Sequence, residues 1–144
     1  KFFMTYEKFT STLNMAEKGN LDAIVTVANY YAFYKLDNEK HEVWLEKAAE
    51  KGDVTSQYNF AMSLISKGNM ASTKVANYWL KMASVGDDMA KYELGISYKL
   101  GRGFDIDISK ACGFFLEAFN GGLEIAKYEI DELNCSSTRV RRNQ

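Results

Sequence analysis

The sequence predicts an all-α solenoid: a stack of antiparallel helix pairs, about eight helices in all. Three observations point there. Glycines recur at Gly19, Gly52, Gly86 and Gly122, with spacings of 33, 34 and 36 residues. A period of that size marks a helical array. Other positions keep step with these glycines. Four residues after each come Ala23, Ser56, Ala90 and Ala126; eight after come Val27, Phe60, Leu94 and Ile130; three before come Ala16, Ala49, Ala83 and Phe119. Small side chains let helix axes approach, and large ones fill the space between them. The chain also has no proline, which suits helices joined by glycine turns.

Taken in order, residues 3–18 read as a helix that enters in mid-repeat and ends at Gly19. Leu21 to about Tyr34 is the next helix, followed by a turn at Asp37-Asn38-Glu39 and a helix from Lys40 to Lys51. Thr55 to about Lys67 follows, then a turn at Gly68-Asn69 and a helix from about Ala71 to Val85. The best-defined unit runs from Ala90 to Gly122. Ala90, Leu94 and Tyr98 are spaced one helical turn apart. Gly101 and Gly103 make a left-handed turn, and Asp107 caps a second helix carrying Ala111, Phe114, Phe115 and Ala118. A last helix is expected from about Leu123 to Asn134. Residues 136–144 hold three arginines without apolar periodicity and read as a flexible basic tail. The expected organisation is one solenoid over 1–135: a half repeat at 3–19, repeats at 20–52, 53–86 and 87–122, and a half repeat at 123–134.

These motifs resemble the Sel1-like repeat, a relative of the tetratricopeptide repeat. The third unit carries the resemblance most fully, through Ala90, Leu94, Gly95, Tyr98, Gly101, Gly103, Asp107, Lys110, Ala111 and Gly122. The first unit matches mainly in its second helix, Trp44 to Gly52, with His41 in an alanine slot and the glycine turn lost. The second keeps Gln57 to Ala61 but has Gly68 alone in its turn. The resemblance implies a right-handed superhelix whose first helices line a concave face. It also implies a binding scaffold without shared catalytic residues, and no cofactor.

Composition agrees with a folded chain: 47% hydrophobic, 26% charged, net charge −1. That charge offers no electrostatic footprint for nucleic acid, and the lysines are not interleaved with aromatics. No apolar run approaches the ~20 residues of a membrane span. The chain begins at Lys1 without an initiator Met, which fits removal of a leader or of further repeats. The single histidine, His41, has no companion ligand or base and reads as structural. Gly101-Arg102-Gly103 lacks the strand context and Lys-Ser/Thr ending of a phosphate loop. Trp44, Trp79, Phe114 and Phe115 fall in packing slots. No catalytic, metal or cofactor residue is therefore assigned.

Two sites remain. Cys112 opens one helix and Cys135 follows the next, so antiparallel packing brings them side by side. They form either a disulfide or two buried thiols. A disulfide would close a loop of about twenty residues, worth about 3 kcal/mol, and would favour a periplasmic or secreted location over a cytoplasmic one. The second site is a partner face. Counting from each closing glycine, slots six and ten of the first helices point away from slots four and eight. They hold Val25 and Asn29, Tyr58 and Met62, Tyr92 and Ile96, Tyr128 and Glu132, with Ile65 and Lys99 at slot thirteen. Tyr58, Met62, Tyr92 and Ile96 form a block across two repeats, extended by Ile65, Lys99 and Tyr128. Tyrosine and methionine suit an interface core. The expected function is non-catalytic binding of a partner protein. A narrower alternative is a bacterial immunity protein that neutralises a secreted toxin, and a more distant one is a cell-wall hydrolase.

Overall fold

The computed structural model describes residues 4–136. The basic tail expected at 136–144 lies, beyond Ser136, outside the described residues, as do residues 1–3. Eight helices follow one another: α1 (Tyr6–Glu17), α2 (Leu21–Phe33), α3 (Asn38–Glu50), α4 (Val54–Ser66), α5 (Met70–Ala83), α6 (Asp88–Leu100), α7 (Ile108–Asn120) and α8 (Ala126–Glu132). Each packs on the next in the chain, as a solenoid requires. The first helices of the pairs are α2, α4, α6 and α8; the second helices are α1, α3, α5 and α7.

The helix starts are chemical. Asn20, Asp53 and Asp87 follow the closing glycines, and each side chain accepts a hydrogen bond from the backbone of the first turn, at Ala23, Ser56 and Met89. Thr5, Asp37, Asn69 and Asp107 do the same for the second helices. Each supplies an acceptor to an N–H that the helix leaves unpaired. In the last half repeat that slot holds Leu123, which has no side-chain acceptor. α8 accordingly has no side-chain cap. Its entry tightens into turns, Ala126 N to Leu123 O and Lys127 N to Glu124 O, and the helix begins at Ala126 rather than at Leu123.

The closing glycines also differ. Gly19, Gly52 and Gly122 have φ of 91°, 92° and 110°. The N–H of each bonds back three residues, and the next N–H bonds back five, as Asn20 N to Met15 O does. That left-handed ending favours glycine. α5 stops one residue earlier relative to its glycine, Gly86 lacks the positive φ, and only Gly86 N to Ala83 O closes the end.

The core is a strip along the stack. One cluster joins Ala16, Ala23, Ile24, Val27, Ala28, Trp44 and Ala48. The other joins Leu45, Ala49, Phe60, Ala61, Leu64, Ala76, Leu80, Ala83, Ala90 and Leu94. The four-after and three-before slots are buried wherever they hold Ala or Ser, so backbones approach there. His41 is half-buried, and its Nδ1 lies 2.9 Å from Ala28 O, tying α3 to α2. Cys112 Sγ is joined to Cys135 Sγ, with Cα atoms 5.4 Å apart, which fastens the end of α8 to the start of α7.

Candidate functional site

The slot-six tyrosines of α4 and α6 are each influenced by carboxylates on the side of the next first helix. Tyr58 on α4 is half-buried against the core. Its hydroxyl is pushed above its ordinary value, first by burial and then by the carboxylates of Glu93 and Asp87 on the α6 side; Arg102 opposes the shift. Tyr92 on α6 repeats the pattern. Its ring lies 5.5 Å from that of Phe115. Burial, then Glu129 on α8 and Glu93, push its hydroxyl up, against Lys99. Glu93 and Glu129 occupy the same slot, seven residues after a closing glycine. Glu93, beside both tyrosines, is ion-paired. Arg102 Nη2 sits 2.9 Å from Glu93 Oε2, and Arg102 Nε donates to Ser97 Oγ at 3.0 Å.

Met62 and Ile96, one turn further along, are half-buried. Ile65 packs on the core cluster. Lys99 bridges α6 to α8 through Glu129 at 2.6 Å and Glu132 at 3.7 Å. The hydrogen bond to Glu129 raises its ammonium above the ordinary value, against the opposing effect of burial. Tyr128, the slot-six residue of α8, is 70% exposed. Of these residues Tyr58, Met62, Ile65, Tyr92 and Ile96 are half-buried, Lys99 is bound within the fold, and Tyr128 is most open to solvent. Val25 and Asn29, at the corresponding slots of α2, instead line an open groove.

Other polar side chains pair locally. Ser63 Oγ and Lys67 Nζ both donate to Glu42, and Ser56 Oγ donates to the capping carboxylate of Asp53. Among the described residues no three His, Cys, Asp or Glu side chains converge on a point that could hold a metal ion. Among them, too, no helix is long and apolar enough to cross a membrane.

No protein-family model matches the chain, and no curated protein does. Solved structures do. A crystal structure of a Sel1 repeat protein from Oxalobacter formigenes superposes with a TM-score of 0.72 at 26% identity, over 85% of this chain and 37% of that one. The crystal structure of c5321, a protective antigen present in uropathogenic Escherichia coli strains and displaying an SLR fold, superposes with a TM-score of 0.74 at 24% identity, over 95% of this chain and 31% of that one. The chain thus spans about a third of the length of each.

Proposed function

The chain is a Sel1-like repeat solenoid, and from that premise we propose that it is a non-catalytic module that binds a partner protein through the face formed by its first helices. The observation that carries this reading is the block of Tyr58, Met62, Tyr92 and Ile96. All four are large, all are half-buried, and they lie in step on adjacent helices. Half-buried tyrosine and methionine offer contact area whose ordering is already partly complete, which favours association. Ile65, Lys99 and Tyr128 extend the face toward α8. The sole histidine supports the non-catalytic reading, since its Nδ1 is engaged by Ala28 O.

Affinity capture with the intact chain from its source organism, followed by mass spectrometry, tests the reading. A stoichiometric protein partner is expected, with no turnover of substrate by the pure chain. Turnover of a defined substrate, abolished by a point substitution, would overturn it. The narrower reading as an immunity protein makes a further demand: the partner is a secreted toxin enzyme whose activity falls on binding.

A further inference from the structure

The spaces between successive first helices share one register and are filled differently. Between α4 and α6 Tyr58 (slot six) is half-buried on the core cluster that includes Ala90 and Leu94 of α6, and Glu93 (slot seven) and the capping Asp87 (slot one) act on its hydroxyl. Between α6 and α8 Tyr92 is half-buried with its ring 5.5 Å from that of Phe115. Phe115 stands seven residues before its closing glycine, as Leu45 of the groove lining does. Glu129 (slot seven) of α8 acts on the Tyr92 hydroxyl. Between α2 and α4 slot six is Val25, and slots seven and one of α4 are Asn59 and Asp53. Valine has neither ring nor hydroxyl, and here the space is open. It forms a groove of about 530 Å³ whose lining includes Val25, Asn29, His41, Asp53, Asn59 and, 71% exposed, Phe33.

The charge of the groove narrows what fits. Its lining holds one carboxylate, Asp53, and neither lysine nor arginine. Asp53 Oδ2 is held in place by the backbone N–H and the hydroxyl of Ser56. The apolar side chains of Val25, Phe33 and Leu45 beside a fixed acceptor suit an aromatic ring bearing a proton donor, and the lone carboxylate disfavours an anion.

We propose that this groove accepts a tyrosine side chain presented by a partner protein, which fills the α2–α4 junction as Tyr58 and Tyr92 fill the other two from within. The identity of the occupant as part of a protein rests on the partner-binding reading; the chemistry of the groove does not. A phosphotyrosine is disfavoured, because the added charge would face Asp53 with neither lysine nor arginine in the lining to pair it.

The test uses N-acetyl-tyrosinamide titrated into the isotopically labelled chain and followed by NMR. Saturable shifts of the Asn29 and Asn59 side-chain amides are expected, with nuclear Overhauser contacts from the ring protons to the Val25 methyls. The O-phospho analogue should bind about tenfold more weakly or worse, since one uncompensated charge contact is of that order. Val25→Tyr, which supplies the ring from inside, should leave the chain at least as heat-stable and reduce probe binding by about tenfold or more. Absence of saturable shifts up to the solubility of the probe, equal binding of the phosphorylated form, or a folded Val25→Tyr that binds as the parent does would each overturn the proposal. The contacts seen in the parent chain decide the matter even if the variant fails to fold. Contacts confined to the Tyr58–Tyr92 face would sink the groove and leave the partner-binding reading standing. A failed partner capture with intact groove contacts would do the reverse.

Discussion

Gly95 sits in the middle of α6 because Phe115 occupies the volume that its side chain would need. A Cβ there would lie 2.5 Å from Phe115 Cε1 and under 3.0 Å from two more ring atoms, and Phe115 itself is fully buried. Alanine would gain about 1 kcal/mol of helix propensity, but overpacking costs about 1–3 kcal/mol. Gly95→Ala should therefore lower stability by about 1 kcal/mol in urea denaturation, against a gain at an open helical glycine. Leu36 is the reverse case. It precedes the capping Asp37 as Gly68 precedes Asn69, and it holds φ of 52° where Gly68 has 72°. A left-handed leucine costs about 1–2 kcal/mol, and its side chain is 76% exposed, so little burial offsets that. Leu36→Gly should stabilise by about 0.5–1 kcal/mol after the entropy of glycine is deducted, read from the same denaturation midpoint. At Glu42, burial raises the carboxyl, but the hydrogen bonds from Lys67 and Ser63 and the charge of Lys67 outweigh it and hold the group below its ordinary value. A depressed carboxyl contributes stability that is complete above its unfolded value and is lost as pH falls through the folded one. The Tm difference between the parent and Glu42→Gln should thus be constant near neutrality and shrink below about pH 4.5. A gap that stays constant to pH 3 would remove this role for the Lys67 pair.

At the scale of the helices, α8 is the element whose attachment is covalent. It is seven residues long and has no side-chain cap. It is held by the buried Ala126, by Lys99 to Glu129 and Glu132, and by the Cys112–Cys135 bond. Helices this short are marginal alone. Replacing both cysteines by serine should speed amide exchange in α8 by the loss of about 3 kcal/mol of constraint, while α2 to α5, which it does not touch, exchange as before. Uniform acceleration along the chain would show that the bond stabilises the whole stack instead. The element boundaries were legible where a local signal existed. Asp107, read as a cap, is followed by α7 at Ile108, whereas the turn expected at Asp37-Asn38-Glu39 is the cap and first two residues of α3, because the Asp37 side chain accepts from Lys40 N and starts the helix at Asn38. α8 starts late for want of such a residue at Leu123, a loss readable from the slot alone. The early end of α5 at Ala83 had no sequence signal, because Gly86 stands in the same place as the other closing glycines. The partner face was only half legible. Slot counting puts Tyr58, Met62, Tyr92 and Ile96 at matching places on successive first helices, where each is half-buried. It did not show that Lys99 is engaged by Glu129, or that slot six meets slots seven and one of the next first helix. Those relations join residues 29 to 37 apart in sequence, and they depend on how far each pair rotates against the next. Val25 among the tyrosines was the visible sign of the open groove.

The whole molecule is a row of near-equivalent junctions, each stabilised mainly by its neighbours. In such a row, burying a residue and offering it to a partner differ only in whether the next helix covers it. Tyr58 and Tyr92 are partly covered by α6 and α8, Tyr128 has no further first helix over it among the described residues, and the place of a tyrosine at α2 is open. The central claim is that the half-buried block on the first helices contributes binding free energy to a partner as well as packing within the stack. The most direct measurement is calorimetric affinity for the captured partner with Tyr92→Ala and Met62→Ala, alongside the thermal unfolding of each variant. The account predicts that at least one of them binds more than about fivefold more weakly, a loss above ~1 kcal/mol, with helical content and folding cooperativity retained. Two variants that lose thermal stability while their folded fraction binds the partner at the parent affinity would contradict it, and would make these side chains core alone.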